Sequence, residues 1–157
     1  MTSSLQRMAA RILALLSLTF WGCSPSGDRI IDKKLEGARW VYPDTLWGEF
    51  RITEPASCRD IELEIHLEES YLWRNLYLML FTVSPDGFRT QTRIQVVFSD
   101  SLGDWYVSNR KFRTFVGRNI SFATVGTYRI GLLPYMRADT IPAIEKVALS
   151  VYPCSTE

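Results

Sequence analysis

Ile61-Glu-Leu-Glu-Ile-His-Leu-Glu68 alternates without a fault. A side-chain period of two puts Ile61, Leu63, Ile65 and Leu67 on one face and Glu62, Glu64, His66 and Glu68 on the other, which predicts a strand with one buried and one wet side. Working outward, Leu46-Trp-Gly-Glu-Phe-Arg-Ile52 keeps Leu46, Phe50 and Ile52 in register, with Trp47, Glu49 and Arg51 opposite. Phe88, Ile94, Val96 and Phe98 share one parity, and Arg89, Gln91, Arg93 and Gln95 the other; Val147, Leu149 and Val151 repeat the pattern near the end. Leu76-Tyr-Leu-Met-Leu-Phe-Thr-Val83 is apolar at every position until Thr82. Such a run predicts a strand covered on both faces, or at least one central in its sheet.

Turn chemistry separates these segments: Tyr42-Pro43-Asp44, Ser84-Pro85-Asp86-Gly87, Ser99 to Asp104, Thr124-Val125-Gly126 and Ile141-Pro142-Ala143. Each supplies Pro, Gly or Asp where the chain must reverse. Beyond the N-terminal segment, no stretch holds a 3.6-residue apolar stripe over three turns. The expected class is therefore all-β: an antiparallel β-sandwich of about seven to nine strands, jelly-roll-like or immunoglobulin-like in order.

The N-terminal segment reads differently. Residues 1–22 contain no acid and two arginines, Arg7 and Arg11, ahead of the apolar run Ile12 to Trp21. That is the layout of a secretory signal, and the run is too short for a membrane span of about 20 apolar residues. Thr19-Phe-Trp-Gly-Cys23 resembles a lipobox, in which a small residue precedes the cysteine that receives a diacylglyceryl lipid before cleavage. Lipidation is expected at Cys23; the alternative is a plain cut that leaves Cys23 as a thiol. Ser24-Pro-Ser-Gly-Asp28 suits a tether. The expected organisation is a signal over 1–22, a lipidated tether over 23–36 and one β-sandwich domain over 37–157.

Without the signal, 16 bases face 17 acids, a charge of about −1. The absence of a basic block argues against nucleic acid as a partner and against a polybasic membrane patch. With Cys23 assigned to the lipid, Cys58 and Cys154 remain as an even pair in an oxidising compartment, where a disulfide is expected. Two unrelated thiols are the alternative.

Chemistry is hard to place. The single histidine, His66, lies among glutamates on the wet face of a strand with no evident nucleophile, the setting of a solvated side chain rather than a general base. One His, no Cys-x-x-Cys and no spaced Asp loop match none of the common metal-ligand patterns, and no glycine-rich phosphate loop occurs. No catalytic, cofactor or metal site is expected. Glu62, Glu64 and Glu68 leave a carboxylate-pair hydrolase as a minority reading.

Aromatic residues, Trp40, Trp47, Trp73 and Trp105 among them, make up 13% of the chain, and several fall beside turns or off the apolar parity. Exposed rings on a sandwich fill a partner's pocket or stack on sugars. Trp47, out of register with Leu46, Phe50 and Ile52, is the best candidate. A carbohydrate-binding lipoprotein using such rings is the alternative to a protein-binding one.

These segments, in order, resemble the gliding motility lipoprotein H (GldH) family of the Bacteroidetes group. The resemblance rests on Trp40 and Asp44, Tyr71 leading into Asn75-Leu-Tyr-Leu78, Pro85-Asp-Gly87, Gly103-Asp-Trp105, Gly126-Thr-Tyr128, Met136-Arg137 and the tail Ile141 to Leu149. It implies a non-catalytic accessory part of the gliding and type IX secretion machinery, with envelope proteins of that machinery as partners. The implied location is the periplasmic face of the outer membrane, reached through the lipid anchor. Asn75, Tyr77, Met136 and Arg137 are the matched positions that become candidates for partner binding, beside Trp47. Asp44-Thr45-Leu46, Asp100-Ser101-Leu102 and Asp139-Thr140-Ile141 resemble the Asp-Ser/Thr-apolar acceptor for O-glycosylation in that group. The same tripeptides are also ordinary turn chemistry. The residues after Cys23 lack the acidic cluster that resembles a surface-export signal, which favours the inner leaflet.

Overall fold

The computed structural model describes residues 27–154; the expected signal, Cys23 and the first residues of the tether lie outside them. Two four-stranded antiparallel sheets pack face to face. The first contains β1 (Asp28–Lys34), β10 (Ile144–Pro153), β4 (Ser57–Leu67) and β7 (Lys111–Phe122), in that order. The second contains β3 (Leu46–Ile52), β8 (Gly126–Pro134), β5 (Asn75–Val83) and β6 (Arg89–Val97). A short ribbon of β2 (Arg39–Val41) and β9 (Thr140–Pro142) closes one end. Apart from the β5–β6 hairpin, each connection between successive long strands crosses from one sheet to the other. That winding is a jelly roll, which decides between the two strand orders that alternation alone leaves open.

The alternation of 61–67 becomes the inner face of β4: Ile61, Leu63 and Ile65 are fully buried, as are Leu76 and Leu78 from β5, Ile130 and Leu132 from β8 and Leu149 from β10. These side chains form one hydrophobic core, with Phe98, Phe112 and Tyr71 closing one end and Phe50, Phe122 and Tyr128 the other. Cys58 and Cys154 are bonded, their Cα atoms 5.4 Å apart, so the start of β4 is joined to the residue after β10.

Four expectations change. Asp28–Lys34, which composition assigns to the tether, forms edge strand β1 paired with β10, so the domain begins well before residue 37. A register shift between Arg29 and Ile31 breaks the alternation that would have marked it. β5 is central in its sheet, but its outer face is only half-covered. Phe88 sits in the turn before β6 and is 68% exposed, because its side lines the open groove along the sheet edge together with Thr90 and Thr92 instead of packing in the core. Glu64, on the face that alternation reads as wet, is buried.

The two sheets are closed along one side only. There β1 meets β3 at Gly48, where an added Cβ would lie 2.5 Å from the Ile30 carbonyl oxygen. A side chain at 48 would push the sheets apart. On the other side β6 and β7 are, among the described residues, the free edges of their sheets. Between them lies a groove of about 530 Å³ floored by Ile61, Leu80, Val116, Ile120 and Phe122.

Candidate protein-docking face

The outer face of the β3-β8-β5-β6 sheet carries a row of half-exposed apolar side chains. The pleat turns Leu76, Leu78 and Leu80 into the core and therefore turns Tyr77, Met79 and Phe81 outward. Register sets Leu133 of β8 beside Met79, and Gly131 beside Phe81. Trp47 of β3 pairs with Gly131, and because that position has no side chain the indole lies across it. An added Cβ there would come within 2.7 Å of the ring. Trp47 is 44% exposed and stacks at 6.3 Å on Phe81. Arg129 lies 4.9 Å from the Trp47 ring and Arg93 lies 5.6 Å from that of Tyr77, so guanidinium groups cover parts of the aromatic surface.

The row runs into a cavity of about 790 Å³ at one end of the sheet, lined by Tyr42, Trp73, Tyr77, Arg93, Met136 and Arg137 among others. Backbone contacts hold the rim in place. The Tyr135 N–H donates to the Tyr77 carbonyl at 2.9 Å, and the Tyr77 N–H donates to Met136 Sδ at 3.4 Å. Tyr71 stands behind the rim, where burial pushes its phenol above the usual range and its hydroxyl donates to the Asn75 carbonyl at 3.0 Å.

Three of the expected partner-binding residues, Tyr77, Met136 and Arg137, thus meet at one cavity, and Trp47 lies at the far end of the same face. Asn75 begins β5 opposite Val97, half-buried and outside that lining. The tryptophans divide. Trp40 is 1% exposed and donates its indole N–H to the Asp44 carbonyl at 2.9 Å, so it belongs to the core. Trp105 packs against Phe98 and Phe112 beneath the Arg110 guanidinium. Of the candidate modification sites, Thr45 is half-buried in the loop before β3, while Ser101 and Thr140 are exposed. Met79, Phe81, Arg93 and Tyr135 were not singled out by sequence reasoning. For Met79 and Phe81 the signal is the second parity of the apolar run in β5, which reads as burial when taken alone; Arg93 and Tyr135 join them only through strand pairing and the cavity lining.

On the opposite sheet, Glu64 accepts from Arg29 and Arg113 at 3.0 Å each and lies 2.7 Å from His66 Nε2. Glu62 accepts from the Tyr152 hydroxyl at 3.0 Å. Among the described residues, no group of three or more His, Cys, Asp or Glu side chains is arranged to hold a metal. No helix among them is long and apolar enough to cross a membrane.

A family model described as GldH lipoprotein matches residues 32–151. No curated protein matches the chain. Among solved structures, a serine protease of Aeromonas sobria is 13% identical at a TM-score of 0.31, over 82% of this chain and 27% of the other. A structure of infectious bursal disease virus, Gt strain, is 11% identical at a TM-score of 0.39, over 85% of this chain and 38% of the other. The chain thus spans well under half the length of either.

Proposed function

The chain belongs to the GldH lipoprotein family, associated with gliding motility, and we propose that it is a non-catalytic accessory protein of the gliding and type IX secretion machinery that works by binding a protein partner. In this reading the signal directs export, Cys23 carries the lipid, and the domain is held at the periplasmic face of the outer membrane. One observation carries the binding role: the contiguous apolar row from Trp47 through Phe81 and Met79 to Tyr77, ending in the cavity at Met136 and Arg137. An apolar and aromatic row partly covered and rimmed by arginines has the composition of a protein interface core.

The test is co-purification of the native lipoprotein in mild detergent beside three variants: Cys23→Ser, Trp47→Ala and Tyr77→Ala. Envelope proteins of the machinery should accompany the wild type. They should be depleted at least several-fold by Trp47→Ala and Tyr77→Ala, and Cys23→Ser should be lost from the membrane fraction. A wild type that comes away alone, or ring variants that retain every partner, overturns the reading.

The carbohydrate reading keeps one supporting observation. The cavity sets the rings of Tyr42, Trp73 and Tyr77 beside Arg93, Arg137 and Asp139, an arrangement suited to stacking on a sugar while binding its hydroxyls. Glycan-array binding abolished by Trp73→Ala would favour it.

A further inference from the structure

We infer that the free edge of β6 is a strand-addition site for an extended segment of a partner protein in which apolar and acidic residues alternate. The inference rests on the protein-binding role above and adds to it a second surface and the chemistry of what that surface takes. Three observations meet here.

The first is topological. β6 ends its sheet, and one side of its backbone has no strand partner among the described residues. An added strand takes its main-chain hydrogen bonds from such an edge and its specificity from pockets for alternate side chains.

The second is the groove beneath. Thr90 and Thr92 point inward opposite Thr82 and Leu80, yet both are exposed, because the sheets do not close on this side. Ile61, Leu80, Val116, Ile120 and Phe122 lie below them. A strand laid on β6 would turn every second residue over that floor, so those residues must be apolar.

The third is charge. β6 is Arg-Thr-Gln-Thr-Arg-Ile-Gln-Val-Val, and β7, the facing edge, contributes Lys111, Arg113 and Arg118; neither strand contains an acid. Arg113 is taken up by Glu64. Asp86, at the end of the groove, is held by the Ser84 hydroxyl and the Phe88 N–H. Arg89 and Arg93, the second of which also lies over the Tyr77 ring, therefore face the outer side of any added strand without an acidic partner on their own edge. Residues that neighbour them across the ladder favour the opposite charge. A second copy of β6 would bring only more arginines and is disfavoured for the same reason.

The probe is a nine-residue peptide alternating Val and Glu, matched to the nine residues of β6. It is titrated into the isotopically labelled full chain carrying Cys23→Ser, with amide chemical shifts as the readout. Shifts should concentrate at 89–97 and at Leu80, Val116 and Phe122. The same peptide with Lys for Glu should bind at least tenfold more weakly. The double variant Arg89→Glu/Arg93→Glu should invert that order, and Thr92→Trp, which fills the groove from an exposed position, should weaken binding several-fold. No shift at β6 up to millimolar peptide overturns the inference. So do equal affinities for the two peptides, or shifts confined to the Trp47–Tyr77 face. Should the peptide fail while Trp47-dependent co-purification holds, the edge site falls alone. Should the peptide bind while co-purification fails, the outer-face reading is the one that falls.

Discussion

His66 Nε2 stands 2.7 Å from Glu64 Oε1, two residues back on the same strand, and both lie on the outer face of the β1-β10-β4-β7 sheet. Burial pushes the Glu64 carboxyl up, but the bond to His66 and the charges of Arg113 and Arg29 together hold it below the ordinary value of 4.5. A carboxylate whose pKa is lowered on folding contributes stability above its unfolded pKa and loses it as pH falls through the folded one. Wild type should therefore lose stability in acid below about pH 4.5 more steeply than Glu64→Gln. At pH 7 the variant should be less stable by about 1–2 kcal/mol, and the gap should narrow in acid. Urea denaturation at pH 7 and at pH 3.5 checks both statements.

Reduction should be costly. The Cys58–Cys154 bond closes a separation of 96 residues, for which chain-entropy arguments give about 4–5 kcal/mol. Cys58→Ser/Cys154→Ser should fall in stability by about 2–5 kcal/mol with its far-UV circular dichroism unchanged below the transition. Chemical denaturation with and without reductant measures the difference.

Two tryptophans should respond oppositely to the same change. Trp40→Ala empties a fully buried site and removes the indole bond to the Asp44 carbonyl, a loss of about 3–5 kcal/mol. Trp47→Ala removes an exposed ring and should cost under about 1 kcal/mol while depleting the partner. Gly131→Ala, which displaces the Trp47 ring without deleting it, should shift the indole emission and weaken partner capture less than Trp47→Ala does. Equilibrium unfolding and co-purification separate the effects.

Gly48→Ala should be worse than an ordinary strand glycine substitution. Its Cβ would meet main-chain oxygen and carbon of Ile30 and the side chain of Ile31, atoms that move only if β1 leaves β3. A loss of about 1–3 kcal/mol is expected. Faster amide hydrogen exchange confined to 28–34 and 46–52 would locate it.

Most of the sandwich was legible because most of its strands have one dry face, and a period of two records that directly in Ile61 to Leu67. β1 was not, because its two isoleucines are adjacent and a bulge re-phases the strand. The burial of Glu64 was not either: its cover comes from Arg29 and Arg113, on strands that only the topology brings alongside. At the candidate docking face, Trp47 betrayed itself by parity, and Tyr77, Met136 and Arg137 by resemblance. What joins them is Gly131, whose meaning depends on which strand lies opposite.

The placement of β1 has a mechanical side. Pulling on the chain ahead of Asp28 loads an edge strand whose ladder hydrogen bonds go to β10 alone, and loads it at the end where Asp28 faces Val151. Rungs loaded from one end give way in succession rather than together, so β1 would peel at low force and lengthen the leash. The rupture would then arrive at a sheet whose next two strands, β10 and β4, are riveted by Cys58 and Cys154. A single-molecule force trace should accordingly show a short, soft extension of about seven residues' length before a much stiffer second event. The same strand that closes the fold would act as its shock absorber.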